Sequence, residues 1–130
     1  MIKTLIVLRG LPGTGKSTFA KLLVSPENIC EADHYFEGEN GYEFDASRLE
    51  EAHSQCHNKV EALMQSGAER IVVSNTSTQL WEFSEYLALA RQHHYRVHVA
   101  VVENWHNGNS KHKVPNDVMR KMRQGFELKI

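Results

Sequence analysis

Only two cysteines, Cys30 and Cys56, occur in 130 residues, too few for a disulfide framework. That thiol usage suits a reducing compartment, and a cytoplasmic location is the expectation. Prolines number just three, and no stretch rich in proline, glycine or serine divides the chain, so a single domain over residues 1–130 is expected. A domain of this length buries about two-thirds of its unfolded surface and needs no metal or disulfide staple. Long hydrophobic runs are missing. Nothing approaches the ~18 apolar residues of a membrane span, and the apolar Leu5–Leu8 is too short for a signal-peptide core, so no membrane partner is expected. An excess of either charge is missing too: 15 Lys and Arg against 16 Asp and Glu leave a net charge of −1. A protein that coats nucleic acid by bulk charge alone is thereby excluded.

The charges that are present are unevenly placed. Residues 1–103 carry 9 basic and 14 acidic side chains, whereas residues 104–130 carry 6 basic and 2 acidic ones. A basic closing segment is either a solvated helix face or a set of phosphate contacts. Along the chain, residues 3–8 form a short β-branched apolar run, the pattern of a strand buried on both faces. A glycine-rich turn follows, and then residues 19–24 read as a helix that stops at Ser25-Pro26. Residues 28–32, 70–75 and 95–102 are further strand candidates. Residues 37–45 lack a period and read as a loop, with Asp45 or Ser47 capping the next helix. Leu49, Ala52, His53, Cys56, Val60, Leu63 and Met64 form the apolar stripe of that helix. Another helix begins near Thr78 and runs through Trp81, Phe83, Tyr86, Leu87 and Ala90. A last one starts at Asn116 or Asp117 and passes Met119, Met122 and Phe126. Alternating strands and helices predict an α/β fold, a mostly parallel four-stranded sheet with helices on both faces. Ligands of such sheets lie beyond the carboxyl ends of the strands, and Asp33, Asn75 and Glu103 all fall on that edge.

Gly10-x-x-x-x-Gly15-Lys16-Ser17 has the P-loop spacing in its proper context, with a strand before it and a helix after it. Gly10, Pro12, Gly13, Thr14 and Gly15 shape a loop whose backbone amides can turn inward around phosphate oxygens. The helix N-terminus adds a favourable dipole. Lys16 offers a positive charge to the β and γ phosphates, Ser17 a hydroxyl to Mg²⁺, and Thr18 a contact to the α phosphate. ATP and Mg²⁺ are therefore the expected ligands. Asp33, at the tip of the second strand, is placed either to take a proton from an attacking hydroxyl or to cap a turn. A zinc reading of His53, Cys56 and His57 lacks a second ligand pair, and packing on the helix stripe is the better account. Trp81 is likewise expected in the core.

These residues also carry a resemblance. Residues 10–21, Ala32-Asp-His-Tyr-Phe36, Tyr42-Glu-Phe-Asp45, Ala52-His-x-x-Cys56, Asn75-Thr76 and Thr78-x-x-Trp-Glu82 resemble the P-loop kinase domain of ubiquitin-ligase-binding proteins. That domain is similar to the 5′-kinase module of bacteriophage polynucleotide kinase, and residues 109–122 resemble the phage lid and its following helix. The resemblance implies a 5′-hydroxyl polynucleotide kinase that uses ATP and Mg²⁺, with Lys16 and Ser17 on the phosphates and Asp33 as general base. It implies a single-stranded or terminal nucleic acid as acceptor and a basic lid in which Lys111, His112, Lys113 and Arg120 approach the nucleotide. The pattern is broken in three places. Phe36 stands where the phage enzyme has an acceptor-binding arginine, Lys111, His112 and Lys113 replace lid arginines, and Ser74-Asn75 replaces an acidic strand end. Arginine forks and lysine point charges are not equivalent. A small-molecule or nucleoside kinase, or a nucleotide-binding switch with little transfer, therefore stays open beside the polynucleotide reading.

Overall fold

A computed structural model of the chain describes residues 2–77, 79–103, 120–122 and 124–126. In chain order the elements are β1 (Thr4–Arg9), α1 (Lys16–Leu23), β2 (Ile29–Cys30), a hairpin of β3 (Glu37–Gly38) and β4 (Gly41–Tyr42), α2 (Leu49–Gln65), β5 (Arg70–Ser74), α3 (Trp81–Gln92) and β6 (Arg96–Val101). Four strands form one sheet in the order β2-β5-β1-β6, and every pairing in it is parallel. Val7 lies in register with Val73 on one side and Val99 on the other.

Burial follows the two-residue alternation of a strand. Leu5, Val7, Ile71 and Val73 face one layer, where they meet Cys56, Val60 and Met64 of α2 and Phe83, Tyr86 and Leu89 of α3. Leu8 and Val72 face the opposite layer with Ala20 of α1, and Ile6 and Leu23 pack against them. Both faces of the central strands are covered, which is why their sequences run apolar without a polar alternate. A third, smaller cluster of Ala32, Phe36 and Ala52, with Tyr35 and Tyr42 against it, supports the segment after β2.

Local departures from expectation have identifiable causes. β2 is a short edge strand because Ala32–Phe36 coil into a 3₁₀ turn directly after it, and Lys59 Nζ from α2 takes the Ile29 carbonyl at 2.6 Å. The expected loop over residues 37–45 contains the β3–β4 hairpin. Asp45 accepts from the Ser47 amide at 3.0 Å, capping a 3₁₀ turn (Ala46–Arg48) that leads into α2. Along α2 the buried residues are Ala52, Cys56, Val60 and Met64. His53 lies about 100° round the helix from Ala52 and is exposed, as is Leu49, so neither belongs to the stripe. Trp81, two residues from buried Phe83, points the other way and is 74% exposed, not core. Of the closing helix, residues 120–122 and 124 are helical; its expected start at Asn116 or Asp117 lies outside the described residues.

Both cysteines are free and buried. Burial pushes the Cys30 thiol up to about 12 and raises Cys56 as well. Since the thiolate is the nucleophile, neither should react with iodoacetamide at about pH 8 in the native protein, whereas both should react once urea unfolds it. Intact mass before and after unfolding reads this directly, and rapid native labelling would show that the α2–β2 layer opens.

Candidate active site

The P-loop leaves β1 through Gly10, which is glycine for a steric reason. A Cβ there would stand 2.6 Å from the Val102 carbonyl oxygen and 2.9 Å from Thr14 Oγ1. Gly15 takes φ 94° as the residue that opens α1, a left-handed conformation costly for any residue with a Cβ. Buried Thr14 donates its hydroxyl to the Leu11 carbonyl at 2.9 Å, and the Gly10 amide donates to Thr76 O at 3.1 Å. The loop is thus braced from inside and from the end of β5. Ser17 and Thr18 are exposed in the first turn of α1, and Pro12 and Gly13 are half-buried.

Lys16 Nζ donates to the carbonyls of Gly10 at 2.8 Å and Leu11 at 3.0 Å. Burial pulls its ammonium down to about 8, while the nearby Glu31 and Asp33 carboxylates push it back up. Asp33 is exposed in the turn after β2 and accepts from Tyr42 Oη at 3.1 Å. Partial burial, reinforced by Asp33, raises the Tyr42 phenol to about 12, so Tyr42 stays a donor at neutral pH. Of the two carboxylates that favour the charged Lys16, Glu31 acts more strongly than Asp33. A pH consequence follows. Phosphate favours the protonated lysine, so ATP affinity should be flat from about pH 7 to about pH 8. Above that it should fall by up to about tenfold per unit until the bound-state pKa is passed. Calorimetric titrations across this range test it, and an affinity unchanged to about pH 10 would place Lys16 away from the phosphates.

Glu31, not singled out by sequence, meets the first turn of α1. It accepts from Ser17 Oγ at 2.8 Å and from His34 Nε2 at 3.0 Å. Burial would raise this carboxyl, but the hydrogen bonds from His34 and Ser17 outweigh it and hold it below its usual value. The same contact raises His34. Asn75 Oδ1 accepts from the Ala32 amide at 2.8 Å and its Nδ2 donates to Cys56 Sγ at 3.8 Å, pinning the turn that carries Glu31 and Asp33. The only signal in the sequence was position: Glu31 sits between the second strand and Asp33. Phe36, at the position of the phage enzyme's acceptor-binding arginine, is buried and packs edge-on against Tyr35 and Tyr42.

Arg9 was also missed. It is fully buried, donates from Nε to the Ser77 carbonyl at 2.8 Å, and lies 4.6 Å from the Phe83 ring and 4.7 Å from the Phe126 ring. Of the expected lid residues, Arg120 is exposed, and Lys111, His112 and Lys113 lie outside the described residues.

One family model, that of the AAA domain, matches residues 5–128. The chain belongs to the AAA-domain family. A stretch of 104 residues, 78% of this AAA-domain chain, is 36% identical to human NEDD4-binding protein 2 and covers 6% of that protein's length. The fold is similar to a chain in the structure of the Pnkp1/Rnl/Hen1 complex (TM-score 0.57, 19% identity), covering 92% of this chain and 38% of that one. It is also similar to the APS kinase CysC of Mycobacterium tuberculosis (TM-score 0.52, 13% identity), over 95% of this chain and 96% of that one. This AAA-domain chain thus has the α/β fold of P-loop kinases such as APS kinase. For Mg²⁺ the donor set fits. The Ser17 hydroxyl and Glu31 are hard oxygen donors, as the ion prefers. Among the described residues no group of three or more His, Cys, Asp or Glu forms an all-protein cage. Also among the described residues, no helix is long and apolar enough to cross a membrane.

Proposed function

We propose that this domain is an ATP- and Mg²⁺-dependent kinase that moves the γ phosphate to a hydroxyl, with the 5′-hydroxyl end of a polynucleotide as the leading acceptor. The observation that carries the reading is the P-loop, with Lys16 Nζ on the Gly10 and Leu11 carbonyls, beside the turn after β2 that bears Asp33 and joins α1 through the Glu31–Ser17 hydrogen bond. Asp33 takes the proton of the acceptor hydroxyl as its oxygen bonds to the γ phosphorus. The β–γ bridging P–O bond breaks, and ADP leaves with that electron pair. Lys16 offsets charge growing on the bridging and γ oxygens, and Tyr42 orients the Asp33 carboxylate. Ser17 would hold Mg²⁺ together with phosphate oxygens, and the ion would screen charge on the triphosphate. Lys111, His112, Lys113 and Arg120 are proposed to close over the phosphates and exclude water. Two buried, unpaired thiols suit a cytoplasmic setting.

The polynucleotide acceptor is supported by the motif resemblance and by the likeness to the Pnkp1-containing complex. A second reading, a nucleoside or small alcohol, is favoured by the rim beyond Asp33. There Glu37, Glu39, Glu43, Asp45, Glu50 and Glu51 are all exposed, a field that repels a long polyanion. A γ-labelled ATP screen across 5′-OH oligonucleotides, nucleosides and small alcohols separates the readings. Labelled oligonucleotide, with affinity that falls as salt rises, is the expected result. Labelling of nucleosides alone would shift the assignment to the second reading. Bound ATP with no labelled acceptor would leave a nucleotide switch.

A further inference from the structure

In P-loop nucleotide hydrolases the metal is generally held by the P-loop Ser or Thr and by an acid at the end of a neighbouring strand. Here β1 is flanked by β5 and β6, and the residue after the end of β5, the neighbour on the β2 side, is Asn75. Its amide is already committed. One end accepts from the Ala32 backbone and the other donates to Cys56 Sγ, and a carboxylate could not donate to that sulfur. The consequence is seen one strand further out. Asn75 grips Ala32, the residue after Glu31, and so holds the end of β2 where the Glu31 carboxylate meets Ser17 Oγ at 2.8 Å. The Glu31 side chain is only 11% exposed and is fixed on its far oxygen by His34 at 3.0 Å. A hydroxyl that gives its proton to a carboxylate keeps its lone pairs for a cation and becomes the better donor for it.

We propose that Glu31 is the metal-positioning carboxylate of this domain, with the role moved from the end of β5 to the end of β2 and Asn75 converted into the brace that makes the move possible. Glu31 is a positioning residue, acting on the ion through Ser17 and the ion's water shell. The assignment holds only if the site takes Mg²⁺ and ATP, as proposed for the transfer reaction.

The test measures Mn²⁺ binding to the protein–ATP complex by electron paramagnetic resonance, together with ATP affinity with and without Mg²⁺. It compares wild type, Glu31→Gln, Glu31→Asp and the double variant Glu31→Gln/Asn75→Asp. Loss of a group that orients a metal ligand typically costs about 10–100-fold in metal affinity. Glu31→Gln should lose that much in Mn²⁺ affinity and most of the gain that Mg²⁺ gives ATP, while metal-free ATP affinity holds. Glu31→Asp should recover part of the loss, and the double variant, if it folds, should recover part by returning the acid to β5. Equal losses in metal-free and metal-bound ATP affinity would mark Glu31 as merely structural and overturn the proposal, as would unchanged Mn²⁺ affinity in Glu31→Gln. A wild-type protein that binds ATP with no response to either metal would overturn the magnesium reading and Glu31's role with it. Transfer activity in Glu31→Gln with normal metal affinity would overturn only the latter.

Discussion

Replacing Asp33 with asparagine is expected to slow phosphoryl transfer by about 100- to 10,000-fold, the usual contribution of a positioned general base, while ATP still binds. Asparagine keeps the size of the side chain and can still accept from Tyr42 Oη, now 3.1 Å from Asp33 Oδ1, so the turn after β2 should keep its shape. Removed are a site for the acceptor's proton and one of the two negative charges that prop up the Lys16 ammonium. Lys16 in the variant will therefore deprotonate at a lower pH, and the comparison belongs at about pH 7, below its titration near 8. Single-turnover transfer of labelled phosphate, set beside calorimetric ATP affinity, separates chemistry from binding. Unchanged transfer in Asp33→Asn would remove the base from the mechanism. A parallel collapse of ATP affinity would mean that Asp33 serves the loop and not the acceptor.

The largest stability effect should come from Arg9. Its side chain is fully buried, lies between the rings of Phe83 and Phe126, and satisfies the carbonyl of Ser77. Ser77 itself is held at φ 47°, unusual for a residue with a Cβ. Arg9→Ala opens a cavity, abandons a buried carbonyl and deletes a desolvated cation–π contact. Together these should cost about 3–5 kcal/mol. Arg9→Met, which fills the space and keeps contact with the rings, should cost about 1–3 kcal/mol, the loss of the hydrogen bond and charge. For a domain of this size each kcal/mol lowers the thermal midpoint by about 3–5 °C, so scanning calorimetry resolves the two variants. Because Arg9 adjoins Gly10 and also grips α3 and Phe126, Arg9→Met should weaken ATP binding more than a surface change of equal stability cost. Equal stability of Arg9→Met and wild type would show that shape alone, not charge, fills the gap between the rings.

The P-loop, the parallel sheet and the two-sided burial of β1 and β5 were legible because they are written locally. Glycines at fixed offsets, a β-branched run and a helix start each act within a few residues. The same locality explains Asp33, placed on the working edge by where its strand ends. Helix faces were legible only in part. A stripe read at three- and four-residue steps admitted His53 and Trp81, yet each sits about 100–200° round its helix from a buried neighbour and is exposed. The rest of the site depends on residues distant in the chain. Ser17 meets Glu31 across 14 positions, Asn75 reaches Ala32 across 43, and Arg9 holds Ser77 across 68. No periodicity or spacing rule specifies such pairs. They exist because β5 inserts between β1 and β2 in the sheet, bringing three strand ends side by side, and a carboxylate, an amide and a guanidinium then satisfy whatever donors and acceptors those ends present.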